Sequence, residues 1–201
     1  MARIGNEHRD IIVGVKVKVG LVASGGIGVA SLNIAIEAAD ALGLPVMAHL
    51  DRPPPSRMQF LSRFRPGDML TQCSRPFPAA PTTADGRISD DVRVAKELGV
   101  IFCIGCGMGS FSWSVEEAMM AAGLPPDCIL SDVHTMFEIG PAFEQLVTMS
   151  KFNIWVWSCW RSLVRSPLHR QTLWRGRRWA DWLSAAAAIQ RRSIFRTARF
   201  R

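Results

Sequence analysis

The sequence predicts an α/β fold made of parallel βαβ units, and three observations carry that reading. Short β-branched runs alternate five times with helix-period segments along residues 11–133. The links between them are short, as parallel crossovers require. The pattern also stops at a definite place. Residues 1–152 carry 13 Lys+Arg against 16 Asp+Glu, a net of −3, whereas residues 153–201 carry 11 Arg, no Lys and one acid, Asp181, a net of +10. That second stretch also holds six of the seven Trp. The 201 residues, 48% of them apolar, have room for one ordinary domain, whose core must lie before Asn153.

The elements follow in order. IIVGVKVKV (residues 11–19) is β-branched and without helical period, so it reads as a buried strand carrying lysines near its end. SLNIAIEAADALG reads as a helix of about three turns with Ile34, Ala38, Ala41 and Leu42 on one face and Gly43 as its stop. PVMAHL is strand-like, and PSRMQFLSRF is a short helix entered through prolines. DMLTQC is a third strand, followed by a long Pro-rich loop, SRPFPAAPTTADGR. SDDVRVAKELG begins with an N-cap serine and early acids and ends at a glycine. VIFCIG, SVEEAMMAAG and CILSDV complete the series as strand, helix and strand.

Two architectures accommodate such a chain. A doubly wound sheet normally shows a phosphate-binding G-x-G-x-x-G turn after its first strand, a spacing that VASGGIGVAS lacks. A (β/α)8 barrel gathers its chemistry at the C-terminal ends of many strands. The polar residues here fall at such ends: Lys16, His49, Gln72, Cys106 and Asp132. A charged group at the end of a buried run is costly unless it is paired, metal-bound or in a cleft. A lysine, a histidine and an aspartate converging on one barrel mouth suit divalent-metal chemistry, with Asp132 placed to take a proton from a bound water.

IVGVKV, LPVMAHL, RPGDMLTQC, GVIFCIGCGMGSFSW, ILSDVHT and GPAFEQLVTMSKF, in this order and spacing, resemble the second half of the amidohydrolase superfamily, in particular its deacetylase and dihydroorotase-like metallohydrolases. The resemblance covers residues 4–152. It implies a partial (β/α)8 (TIM) barrel, about strands four to eight. It also implies two divalent metals, usually zinc, bridged by a carboxylated lysine. By motif position Lys16 matches that lysine, His49 a histidine ligand, and Asp132 the aspartate that both binds metal and activates the bridging hydroxide. Lys18 is the weaker match for the bridge. The implied reaction is attack of metal-bound hydroxide on an amide, cyclic amide or acetyl ester. His134, on the loop after Asp132, is a candidate substrate contact.

The departures are as informative. The family's sixth-strand T-H-C is Thr71-Gln72-Cys73 here, so an amide replaces a metal-binding imidazole, and Gln is a poor zinc ligand beside it. The family's G-H-G is Gly105-Cys106-Gly107, and the H-x-H pair of the first strand is missing. The expectation is an incomplete metal centre and a hydrolase impaired or inactive as this chain. Open strand edges favour a homo-oligomer or a complementing chain. Cys103-Ile104-Gly105-Cys106 is a C-x-x-C with no second pair, a weak redox or zinc signal.

After Phe152 the family continues with L-x-L-G-M-x-L-x-E and, later, G-R-L-A, neither of which this chain spells. Tryptophan has a single codon, TGG, which fixes what the neighbouring frames can encode. Residues 154–161, IWVWSCWR, read one base out of frame, permit Leu-Gly-Met-Glu-Leu-Leu-Glu, and residues 179–183, WADWL, permit Gly-Arg-Leu-Ala. The expectation is a frameshift near Phe152 or Asn153, with residues 153–201 an irregular or helical basic tail that is not a native domain. The alternative takes eleven arginines interleaved with Trp and Phe as a nucleic-acid or anionic-membrane surface. The start of the chain has no signal-peptide pattern, and no apolar run reaches membrane-spanning length, so a cytoplasmic protein with reduced thiols is expected of its five cysteines.

Overall fold

A computed structural model of the chain describes residues 2–107, 109–130, 132 and 148. The basic tail and His134 lie outside the described residues. Helix α1 (Ala2–Glu7) precedes five strands, β1 (Val15–Val19), β2 (Val46–Leu50), β3 (Met69–Thr71), β4 (Ile101–Gly105) and β5 (Cys128–Leu130). Between them run α2 (Ala30–Asp40), α3 (Arg57–Leu61), α4 (Asp90–Glu97) and α5 (Trp113–Ala121). The strands form one parallel sheet in the order β1-β2-β3-β4-β5. That order has no reversal point, whereas a doubly wound sheet is defined by one. The described strands therefore have the consecutive arrangement of a barrel segment, with each helix carrying the chain back for the next parallel strand.

Alternation along the strands separates two faces. Val15, Val19, Val46, Ala48, Leu50, Leu70, Phe102 and Ile104 pack with Leu32, Ala35, Phe60, Val92 and Met119 from the helices into the main core. Met69, Ile101 and Cys103 are equally buried but belong to the opposite face and stand outside that cluster. On β1 this opposite face presents Lys16 and Lys18, both exposed. Apolar residues cover the helix side, and at roughly 25 cal/mol per Å² of buried apolar surface this layer is what holds the helices on the sheet.

Polar braces fix the N-terminal edge of the sheet. Asp68, 2% exposed, accepts from Val46 N (2.8 Å), Arg65 N (2.8 Å), Arg65 Nε (3.0 Å) and Arg65 Nη2 (2.9 Å). It thereby ties the start of β3 to the start of β2. Asp127 does the same for β5 and β4, accepting from Phe102 N at 2.7 Å and Lys96 Nζ at 2.5 Å. Helix α3 opens on a capping box, Ser56 with Gln59. Ser89 sits at the N-cap of α4 as expected, but its hydroxyl is used elsewhere, donating to Pro81 O and accepting from Arg57.

Four details differ from the sequence reading. The first strand begins at Val15, and Ile11 and Val13 are exposed ahead of it. Helix α1 has no strong sequence signal because Gly5 sits within it; a Cβ there would overlap Leu42, so close packing requires the glycine. The buried face of α2 is Leu32, Ala35 and Ala39, while Ile34 is 54% exposed. Finally, Cys103 and Cys128 form a disulfide instead of two thiols. They are register partners on adjacent strands with Cα atoms 4.7 Å apart, a proximity set by the β4–β5 pairing and invisible in a sequence separation of 25. Cys103 is thus bonded to Cys128, not to Cys106.

Candidate active site

The C-terminal edge of the sheet collects the residues singled out above. His49 is the fourth residue of β2, Gln72 follows β3, Cys106 follows β4 and Asp132 lies two residues beyond β5. Lys16 stands earlier, second in β1, and in register it is Lys18 that lies opposite His49. Both lysines project from the same face as His49, since β1 and β2 alternate in phase.

Gln72 and Asp132 form the centre of this group. Both have left-handed backbone, φ +58° and +56°, a conformation costing a non-glycine residue about 1 kcal/mol or more. Such strain concentrates at functional positions. The Gln72 amide donates from Nε2 to Asp132 Oδ2 at 2.5 Å. Its oxygen accepts from Arg75 Nη1 at 2.9 Å. Arg75 is anchored in turn, donating to Leu50 O at 3.2 Å and facing Asp51 Oδ1 at 3.4 Å. The bend after β4 makes room for this chain: a Cβ on Gly107 would stand 2.5 Å from Asp132 Oδ2, and one on Gly105 would stand 3.0 Å from Gln72 Cγ. Any side chain at residue 107 would displace the aspartate.

The electrostatics distinguish the neighbours of Asp132. His49 is buried, and its pKa falls to about 4, first because burial strips water from the charged form and then because Lys16, Arg75 and Lys18 repel it. It is a neutral imidazole at pH 7, and its buried Nδ1 has no hydrogen-bond partner among the described residues. Lys16 is open to solvent as a strand residue, but loss of water around its ammonium lowers the pKa to about 8, with Asp132 opposing that shift and Lys18 adding to it. Behind Gln72 the environment is structural. Cys73 is buried with its thiol pushed up to about 12 by desolvation, and Ser74 donates to the buried Glu116 of α5.

An unpartnered buried imidazole nitrogen, an aspartate and a lysine at one mouth are part of what a metal centre needs. The remaining donors do not complete it. No group of three or more His, Cys, Asp or Glu stands close enough to hold a metal ion among the described residues. Gln72 is committed at both ends of its amide, and Cys106 is a buried thiol on the strand end. The described residues do not fit a two-metal set. What they do offer is a carboxylate held in a fixed direction, a neutral histidine and a cationic rim. The sequence reading found Lys16, His49, Gln72 and Asp132 but passed over Arg75, whose only signal was a donor-only charge three residues beyond a buried amide.

No family model matches the chain. A deacetylase of Agrobacterium fabrum is 32% identical over 145 residues, which cover 72% of this chain and 36% of the relative. A solved adenine deaminase superposes with a TM-score of 0.73 at 28% identity, covering 76% of this chain and 42% of its own. A solved dihydroorotase superposes with a TM-score of 0.67 at 31% identity, covering 75% and 47%. The chain thus spans less than half the length of each of these proteins.

Proposed function

From the premise that this chain belongs, over about three quarters of its length, to the amidohydrolase superfamily, we propose that it carries the C-terminal half of a hydrolase site. That site acts on a small amide, cyclic amide or acetyl ester, the deacetylase reaction being the nearest by similarity. The observation that supports this most is the placement of Asp132. Its carboxylate sits at the mouth, oriented by Gln72 and given room by Gly107. Asp132 serves as the proton acceptor for an attacking water and returns the proton to the leaving nitrogen or oxygen. Buried and neutral, His49 adds no positive charge beside Asp132. Lys16, with its pKa near 8, keeps a positive rim for the oxyanion. Zinc is the metal the family implies, and because the donors present do not fit its two-metal set, no step here runs through it.

Residues 1–201 tested alone are expected to be impaired or inactive, since they match only 36% of the deacetylase relative and hold no counterpart of the first three strands of such a barrel. A second polypeptide bearing those strands, or another copy, is the partner that would complete it. Turnover of N-acetyl, O-acetyl and cyclic-amide substrates should be near background for the chain alone and should rise when a polypeptide with the missing strands is added. Asp132→Asn should then lower the restored rate by roughly 100-fold or more. Full restored activity in Asp132→Asn would remove the proposal. Residues 153–201 are in this reading an out-of-frame translation. Sequencing the gene through the codons for Ser150 to Trp160 tests it: early stops in the shifted frame refute it, and a continued open frame supports it.

A further inference from the structure

Gln72 stands between a cation and a carboxylate, and that fixes its orientation without reference to any hydrogen position. Arg75 can only donate and an ionised Asp132 can only accept. The amide must therefore turn its oxygen to Arg75 (2.9 Å) and its nitrogen to Asp132 (2.5 Å). The oxygen is the only atom through which glutamine can bind a metal ion, and here it is already taken by a guanidinium. Arg75 is not free to leave, because the carbonyl of Leu50 and the carboxylate of Asp51 hold it from the other side.

We infer that Arg75, Gln72 and Asp132 form a locked chain that stands in place of the second metal, so that this mouth holds at most one divalent cation. This rests on the reading of the mouth as an amidohydrolase site, but it concerns ligand chemistry and not turnover. Two effects act together. One lone-pair side of Asp132 is spent on an amide proton, and a permanent positive charge is fixed next to the vacated position, where it opposes a dication. Arg75 is thus a positioning residue: it orients the amide that orients the aspartate.

The test uses the full chain, loaded with zinc, separated from free ion by gel filtration and assayed for metal per chain by elemental mass spectrometry. The wild type is expected to retain one ion or fewer. Gln72→His, which supplies an imidazole, and Gln72→Glu, which supplies a carboxylate and pairs with Arg75, are each expected to raise the count by about one. Two ions per wild-type chain would overturn the inference. So would an unchanged count in variants whose circular dichroism matches the wild type. If one variant fails to fold, the other and the wild-type count still decide. A failure of the family reading would appear separately, as an absence of turnover with the missing strands supplied, whatever the metal count.

Discussion

The two ends of the sheet carry aspartates in opposite circumstances. At the N-terminal end Asp68 is 2% exposed and receives donors from β2 and from Arg65. At the C-terminal end Asp132 is held by the side-chain amide of Gln72, on a strained backbone, beside an imidazole nitrogen that finds no partner among the described residues. Buried polar groups that only stabilise are normally satisfied within the chain. The first end follows that rule and the second departs from it. The lesson is that a barrel segment can be searched for its site by asking which strand end leaves polar groups incompletely answered.

The largest expected effect breaks the first end. Asp68→Ala leaves Arg65 without its bidentate partner and the β2 amide at Val46 unsatisfied, and should cost about 3 kcal/mol in urea unfolding of the full chain. A cost under about 1 kcal/mol would show that the brace is dispensable. Asp127→Asn keeps an acceptor for Phe102 N but loses the charge facing Lys96, both side chains being mostly buried. About 1 kcal/mol is expected from the same measurement; a loss as large as that of Asp68→Ala would make the two braces equivalent.

Much of this was legible in the sequence. The alternation of strand and helix and the strand ends at His49, Gln72 and Asp132 are local patterns, and local patterns survive translation into structure. What was not legible depends on register. The Cys103–Cys128 bond follows from strand pairing, and the role of Arg75 follows from a bend that sends its guanidinium back toward Leu50 and Gln72. The choice between doubly wound and barrel order was likewise settled only by the consecutive arrangement of β1 to β5.

A third prediction sharpens where the site ends. Glu116, 4% exposed on α5, has its carboxyl pKa raised by burial, with the Ser74 hydroxyl opposing. A carboxyl whose folded pKa lies above its unfolded value stabilises fully below the unfolded pKa, about 4.5, and that contribution is lost as pH rises through the folded value. Glu116→Gln keeps an acceptor for Ser74 and removes the titration. Its unfolding free energy should therefore fall less than that of the wild type as pH is raised from about 4.5. Parallel pH curves for the two proteins would show that Glu116 titrates normally.

The smallest stability effect is the most telling. In the proposed site Asp132 is placed for chemistry and not for the fold, so the decisive measurement is the unfolding free energy of Asp132→Asn beside the wild type. The asparagine retains the side-chain shape against Gly107 and an oxygen for the Gln72 amide. A change within about 1 kcal/mol is predicted. A loss comparable to that of Asp68→Ala would make Asp132 a second structural brace and contradict the division of the sheet into a holding end and a working end.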